Sequence, residues 1–220
     1  MKTFAIAVLV FGILPFAGNV QAAGGGDYPH SPGVNMQDRA SLQRGAALFV
    51  DNCMGCHSLE YKRYGRVGED LGIPEDLVLE HLNFTTEEIG SRMEIGFPED
   101  DAQDFFGVAP PDLTNVTRWE SPDYVYSFLL GFYEDESRPF GYNNEVFDNV
   151  GMPHVMERME RELDEEEFRQ AMFDITNFLY YVGDPVKLER ERMGAYVLFF
   201  LALLFIPAYL LKKEYWKDVH

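Results

Sequence analysis

The chain has 220 residues, which is enough for one domain with accessory segments. It carries 37 Asp and Glu residues against 18 Lys and Arg residues, a formal net charge of −19. Because a negative field of this size repels nucleic acid, the composition argues against a nucleic-acid-binding protein.

The N-terminus has the pattern of a secretory signal peptide. One basic residue, Lys2, precedes an apolar run over residues 4–16, and small residues surround Ala22. We predict that residues 1–22 are a signal peptide and that cleavage follows Ala22. An N-terminal membrane span is the alternative, but the run is short and contains Gly12 and Pro15.

An irregular arm and then a helix are predicted next. Residues 23–33 are rich in Gly and Pro, whereas Leu42 and Phe49 lie at helical spacing within residues 38–52. Gly45 costs this helix up to about 1 kcal/mol relative to Ala, so we expect another helix to cross closely at that point.

A Cys-x-x-Cys-His motif follows this helix directly, with Cys53, Cys56 and His57. The pattern is typical of covalent c-type haem attachment, because each thiol can add to one porphyrin vinyl group while the adjacent imidazole reaches the iron. Export fits this interpretation, since bacteria complete the attachment outside the cytoplasm. The alternatives are a redox-active cysteine pair, half of a zinc site, or a chance match. A thioredoxin-like pair needs a βαβ setting and a zinc site needs about four ligands, and neither is apparent near the motif.

The rest of the predicted exported domain, residues 23–187, is expected to be mainly α. This domain is called the head. Short helices are expected over residues 74–82 and 85–95, and Ser121 with Pro122 begins another that reaches about Phe132. No strong alternation of apolar and polar residues appears, so little sheet is expected.

The last helix of the head begins at a predicted capping box formed by Asp164 and Glu167, and it ends at Gly183. Its apolar stripe consists of Phe168, Ala171, Met172, Ile175, Leu179 and Val182. We expect this helix to be the one that crosses at Gly45.

Met152 is the leading candidate for a second axial ligand, which an electron-transfer haem usually has. It stands between Gly151 and Pro153, in a segment that favours a fixed loop over a helix. His81 or His154 could instead supply a second histidine, and an open sixth position is a further alternative.

A second apolar segment predicts one transmembrane helix near the C-terminus. Residues 193–211 contain 19 residues without a charge and would span about 28 Å. We predict a juxtamembrane linker over residues 188–192 and a cytoplasmic tail over residues 212–220, whose lysines fit the positive-inside tendency. A buried core helix is the alternative.

The acidic charge belongs to the head. Residues 23–187 contain 33 Asp and Glu against 12 Lys and Arg. Such a field steers cationic partners, and the acidic runs at residues 99–101, 134–136 and 165–167 are candidate docking faces. The alternative is that the acidity only keeps the head soluble.

Several segments together resemble the cytochrome c1 family, the haem subunit of the ubiquinol:cytochrome c reductase (cytochrome bc1) complex, and its bacterial members in particular. They are Arg44-Gly45, Cys53-Met54-Gly55-Cys56-His57-Ser58-Leu59, Ala109-Pro110-Pro111-Asp112-Leu113-Thr114, Asp123-Tyr124-Val125-Tyr126-Ser127, Gly151-Met152-Pro153 and the C-terminal anchor. All c-type cytochromes share the haem motif, whereas the Ala-Pro-Pro-Asp-Leu segment with an exported head and a tail anchor is more specific.

The resemblance implies one haem c, held covalently by Cys53 and Cys56, with His57 and Met152 as the axial ligands of its iron. It also implies a mainly α, cytochrome c-like haem domain over residues 23–187.

Three further pocket positions carry over from the family. Pro111 and Tyr124 are expected to line the haem pocket. An arginine of the family meets a haem propionate, and Arg118 is the candidate here, although the link between Leu113 and Asp123 is shorter than the family pattern.

The implied function is transfer of single electrons from the Rieske iron-sulfur subunit to a soluble periplasmic cytochrome c, in a complex with cytochrome b. The chain would then be a non-catalytic electron-transfer subunit, with its head in the periplasm. The rival functions are a membrane-anchored carrier that feeds a terminal oxidase, a haem enzyme or gas sensor, and a purely structural subunit.

Overall fold

The chain is mainly α-helical over residues 26–218, the part that the computed structural model describes. The predicted signal peptide, residues 1–22, lies outside this range. In chain order the helices are α1 (Arg39–Asn52), α2 (Tyr64–Leu71), α3 (Glu75–His81), α4 (Glu99–Phe106), α5 (Val116–Trp119), α6 (Pro122–Leu130), α7 (Glu157–Glu162), α8 (Glu165–Gly183) and α9 (Lys187–Tyr215). The predicted fold class is confirmed.

Two small antiparallel sheets accompany the helices in the described part of the chain. β1 (Leu59–Arg63) pairs irregularly with β2 (Arg92–Met93), and β3 (Phe132–Glu134) pairs with β4 (Tyr142–Asn144). The low sheet content matches the prediction. β1 begins just after the Cys-x-x-Cys-His motif, and a loop leads from the end of β4 to Met152.

The predicted helix starts rest on side-chain caps that the structure shows. The Asp38 carboxylate accepts a hydrogen bond from the Ser41 amide at 3.0 Å and caps α1. Asp164 and Glu167 form the expected capping box of α8, and Ser121 caps α6. Since each cap satisfies a backbone donor that the helix leaves free, these local signals fix where the helices begin.

α1 and α8 cross closely at Gly45, as the sequence predicts. A Cβ atom built on Gly45 would lie only 2.0 Å from the Asp174 carbonyl oxygen. The Phe49 and Phe178 rings pack 5.8 Å apart beside the crossing, and both are fully buried. Arg44 donates to the buried Asp174 carboxylate at 2.6 and 3.0 Å, which pairs the buried charge. The crossing therefore fixes the helix that leads into the motif.

The helix predicted over residues 85–95 is wrong. The Asn83 side chain accepts a hydrogen bond from the Thr86 amide, and the Thr86 hydroxyl accepts one from the Glu88 amide. These local bonds satisfy the backbone in turns rather than in a helix. The end of the segment then pairs with β1 as β2, a long-range contact that the local pattern does not contain.

α9 is one helix of 29 residues, about 43 Å long, and contains the predicted transmembrane residues 193–211. It also includes residues 188–192, so the predicted juxtamembrane linker is helical. Among residues 26–218, α9 is the helix long and apolar enough to cross a membrane, with a mean hydropathy of 2.3 in its most apolar window. None of that window is buried in the chain, which argues against a core helix.

The joint between α8 and α9 is held by Asp184. Arg190 donates two hydrogen bonds to its carboxylate at 2.8 and 2.7 Å, and Arg118 donates one at 2.9 Å. The bonds from Arg190, with the charges of Arg190 and Arg118, hold the pKa of Asp184 below its ordinary value, although burial acts in the opposite direction. One carboxylate thus links α5, the end of α8 and the start of α9.

An Asp184→Asn variant is expected to unfold a few degrees below the wild type at pH 7, because Arg118 and Arg190 lose their shared counter-charge. A carboxylate with a lowered folded pKa stabilises the fold above its unfolded pKa of about 3.9 and loses that contribution as the pH falls. The difference between variant and wild type should therefore narrow below about pH 4. Thermal unfolding of the solubilised chain across pH measures this, with the exposed Glu189→Gln as a control. An equal difference at all pH values would contradict it.

Candidate haem-binding site

The Cys-x-x-Cys-His motif forms a tight turn at the end of α1. The Cys56 and His57 amides both donate to the Cys53 carbonyl, at 3.0 and 2.9 Å. Cys53 and Cys56 are free thiols, the first buried and the second partly exposed. Burial, with a smaller contribution from Cys56, raises the pKa of Cys53 to about 12, so its sulfur is a neutral thiol at pH 7. The prediction that a helix leads directly into the motif is confirmed.

His57 is held as a neutral imidazole with one nitrogen directed by a backbone acceptor. The residue is 7% exposed, and its Nδ1 lies 2.8 Å from the Pro111 carbonyl oxygen. Burial lowers the pKa of His57, although the bond to Pro111 and the charge of Asp112 partly oppose this. With Nδ1–H as the donor, Nε2 keeps its lone pair, the arrangement that metal-ligating histidines usually show. His57 and the two thiols therefore fit a c-type haem.

The segment that contains Pro111 runs beside the motif. The Leu113 amide donates to the Ser58 carbonyl at 3.0 Å. Asp112 accepts from the Glu60 amide at 2.8 Å. Pro111 was predicted to line the haem pocket, and the structure shows its carbonyl orienting His57. The bridging role of Asp112 was missed, since a carboxylate that binds a distant amide leaves no local pattern.

Met152 is half-buried in the loop between β4 and α7. A Cβ atom on its neighbour Gly151 would lie 3.3 Å from a methyl group of Val108, three residues before Pro111. The Met152 loop and the Pro111 segment are therefore neighbours.

His81 and His154, the alternatives to Met152 as second ligand, lie in different surroundings. His81 is exposed on α3. His154 is buried, and its Nε2 lies 2.7 Å from the Glu160 carboxylate, so that nitrogen is already engaged. Within residues 26–218, no group of three or more His, Cys, Asp or Glu side chains is arranged to hold a metal ion.

Tyr124 and Arg118, the other two predicted pocket residues, have contacts elsewhere. Tyr124 is half-buried on α6, edge-on to Tyr28 at 5.4 Å, and burial, with smaller contributions from Glu120 and Tyr28, raises its pKa to about 12. Arg118 pairs with Asp184, and its side chain is 54% exposed. In the described part of the chain, neither makes a hydrogen bond or ring contact with the motif.

Comparisons with known proteins identify the family. Residues 28–219 match the Cytochrome C1 family. Cytochrome c1 of Allochromatium vinosum is 47% identical, over 90% of this chain and 93% of the relative. A Nitrosomonas europaea protein named ammonia monooxygenase gamma subunit is 35% identical, over 85% of this chain and 87% of the relative. Cytochrome b/c1 of Bradyrhizobium diazoefficiens is 27% identical over the whole chain and 40% of the relative. The chain therefore belongs to the cytochrome c1 family.

Proposed function

We propose that this chain passes single electrons from the Rieske iron-sulfur subunit to a soluble periplasmic cytochrome c. The cytochrome c1 family comprises the haem subunits of the cytochrome bc1 complex, an electron-transfer assembly that includes cytochrome b. The observation that carries the proposal is the buried His57, bound to the Pro111 carbonyl and placed directly after two free thiols.

The chain's own residues would hold, orient and shield the haem. Cys53 and Cys56 would attach it covalently, while His57 and Met152 would ligate its iron. When bound, the haem supplies one-electron redox chemistry, and methionine ligation with burial raises its potential. We assign the chain a non-catalytic role in electron transfer, in which its residues hold the haem and the haem carries the electron.

Pro111, Tyr124 and Arg118 complete the proposed site. Pro111 keeps the His57 ring in one orientation through its carbonyl. Tyr124, half-buried on α6, would add apolar surface to the haem pocket. Arg118 has an exposed guanidinium that can offer donors to a propionate while Arg190 still neutralises Asp184.

The proposed membrane topology follows from the two apolar segments of the chain and from the distribution of its charged residues. Residues 1–22 direct export, residues 23–187 form a periplasmic head, and residues 193–211 cross the membrane. The lysines of residues 212–220 then lie on the cytoplasmic side, in agreement with the positive-inside tendency. The exposed apolar surface of α9 supports a lipid or membrane-subunit environment.

The central test is an absorption spectrum of the denatured, solvent-extracted chain from its native membrane, together with identification of what co-purifies. Haem that stays on the polypeptide, beside cytochrome b and an iron-sulfur protein, is the expected result. Covalent haem without these partners would favour a carrier that feeds a terminal oxidase. Extractable or absent haem would overturn the proposal.

Electron transfer to a basic cytochrome c is expected to slow with added salt. Asp100, Asp101 and Asp104 are exposed on α4, one of the acidic faces. Raising the ionic strength from about 0.01 M to about 0.15 M shortens the screening length from roughly 30 Å to 8 Å. The bimolecular rate should then fall about tenfold. Stopped-flow kinetics measures this, with an uncharged acceptor as the control, and a salt-independent rate for the basic partner would contradict it.

A further inference from the structure

We propose that Arg138 and His154 are positioning residues that hold the Met152 loop, residues 149–153, at its two ends. The proposal rests on the proposed ligation of the haem iron by Met152. It adds that these two side chains determine how firmly the methionine stays in place.

Arg138 holds the upstream end of the Met152 loop. It lies in the turn between β3 and β4, and its Nη2 donates to the carbonyls of Asn149 and Val150 at 2.7 and 3.0 Å. Its Nη1 donates to the Asn149 side chain at 3.1 Å. Asn149 has a φ of 60°, a left-handed conformation that is uncommon outside glycine but that asparagine adopts more readily than most residues. The planar guanidinium thus fixes the loop two residues before Met152.

His154 holds the downstream end. Its ring stacks on Phe132 at 4.6 Å and 13°, and the Tyr142 ring meets it edge-on at 5.1 Å. Its Nε2 lies 2.7 Å from the Glu160 carboxylate, to which it donates. Its Nδ1 is buried without a partner in the described residues, an unfavourable state that the ring packing and the Glu160 bond compensate.

Arg138 and His154 both connect the Met152 loop to the β3–β4 hairpin. Arg138 belongs to the turn of the β3–β4 hairpin, and the two rings around His154 come from its two strands. Pro153 separates His154 from Met152 and restricts the backbone between them. Since both ends of the loop rest on the hairpin, loosening either end would let the thioether move from its place.

The test uses the full-length, haem-loaded chain in its native membrane complex. Arg138→Lys keeps the charge but cannot bridge all three acceptors. His154→Leu has a similar size but loses both ring stacking and the bond to Glu160. Met152→Leu is the reference for a lost ligand, and Arg158→Lys is the matched control, because Arg158 is exposed on α7 and pairs with Glu162 on the same helix.

Each variant is compared by haem content, midpoint potential, the methionine-to-iron charge-transfer band and carbon monoxide binding to the reduced protein. Arg138→Lys and His154→Leu should keep covalent haem, lower the potential and weaken the band. We expect carbon monoxide to bind about fivefold faster, because loss of one hydrogen bond of ordinary strength raises the population of the open loop by about that factor.

The outcomes separate the two proposals. If Met152→Leu changes these properties and both positioning variants match Arg158→Lys, the positioning role is overturned while the ligation stands. If only one positioning variant matches Arg158→Lys, its residue does not hold that end of the loop. If Met152→Leu itself is silent, the ligation and the positioning role both fail. If one positioning variant fails to accumulate, the other variant still tests the end of the loop that its own residue holds.

Discussion

A Gly45→Ala variant is expected to lose at least about 3 kcal/mol of folding free energy. The new methyl carbon would lie 2.0 Å from the Asp174 carbonyl oxygen and 2.7 Å from the Phe178 Cβ atom, so α1 and α8 have to separate. The better helix propensity of alanine, about 1 kcal/mol, does not offset this strain. The unfolding midpoint should fall by about 6 to 12 °C, and less haem-loaded chain should accumulate.

Gly90→Ala is the matched control, because a Cβ atom built there has nothing within 4 Å. It should unfold at the wild-type temperature within about a degree, since exposed substitutions without such contacts change stability little. If Gly45→Ala behaved like this control, the close crossing of α1 and α8 would be incorrect.

Met152→Leu is expected to keep covalent haem but to lower its potential by on the order of 0.1 to 0.3 V, a fraction of the roughly 0.8 V range that axial ligands span. Cys53 and Cys56 remain to attach the haem, so assembly does not depend on the thioether. The sixth position of the iron loses its ligand, and carbon monoxide should bind the reduced protein readily. Redox titration and carbon monoxide difference spectra measure both effects.

Met159→Leu is the corresponding control. Met159 is half-buried on α7 and packs against the core, where exchange of methionine for leucine is well tolerated. It should leave the potential and the spectrum unchanged. A wild-type potential in Met152→Leu would reject Met152 as a ligand and return His81 or an open sixth position to consideration.

Features with local signatures could be predicted from the sequence. The Ser121 cap, the Asp164 capping box and the apolar stripe of α8 each depend on residues close together in the chain, and the structure shows all of them. Gly45 was informative because glycine inside a helix is unfavourable unless a close contact requires it. The haem attachment motif is likewise contiguous, so its chemistry was apparent from five residues.

Features that depend on distant partners could not be predicted in this way. The three-residue strands β3 and β4 are too short for a periodic pattern, and β2 forms because Met93 pairs with Leu59, which lies far from it in the chain. Arg138 was overlooked because its acceptors are mainly backbone carbonyls 11 and 12 residues away. Asp184 looked like part of a helix stop, yet one of its partners, Arg118, is 66 positions distant.

The acceptor that orients His57 is a main-chain oxygen, and this affects how the site responds to mutation. Any residue at position 111 would still present a carbonyl, so substitution there leaves the bond to Nδ1 chemically possible. A mutational scan would therefore underestimate this contact, because no side-chain replacement removes it. The orientation of the ring therefore depends on the backbone path that places Pro111 beside His57, which the bond from the Leu113 amide to the Ser58 carbonyl helps to fix.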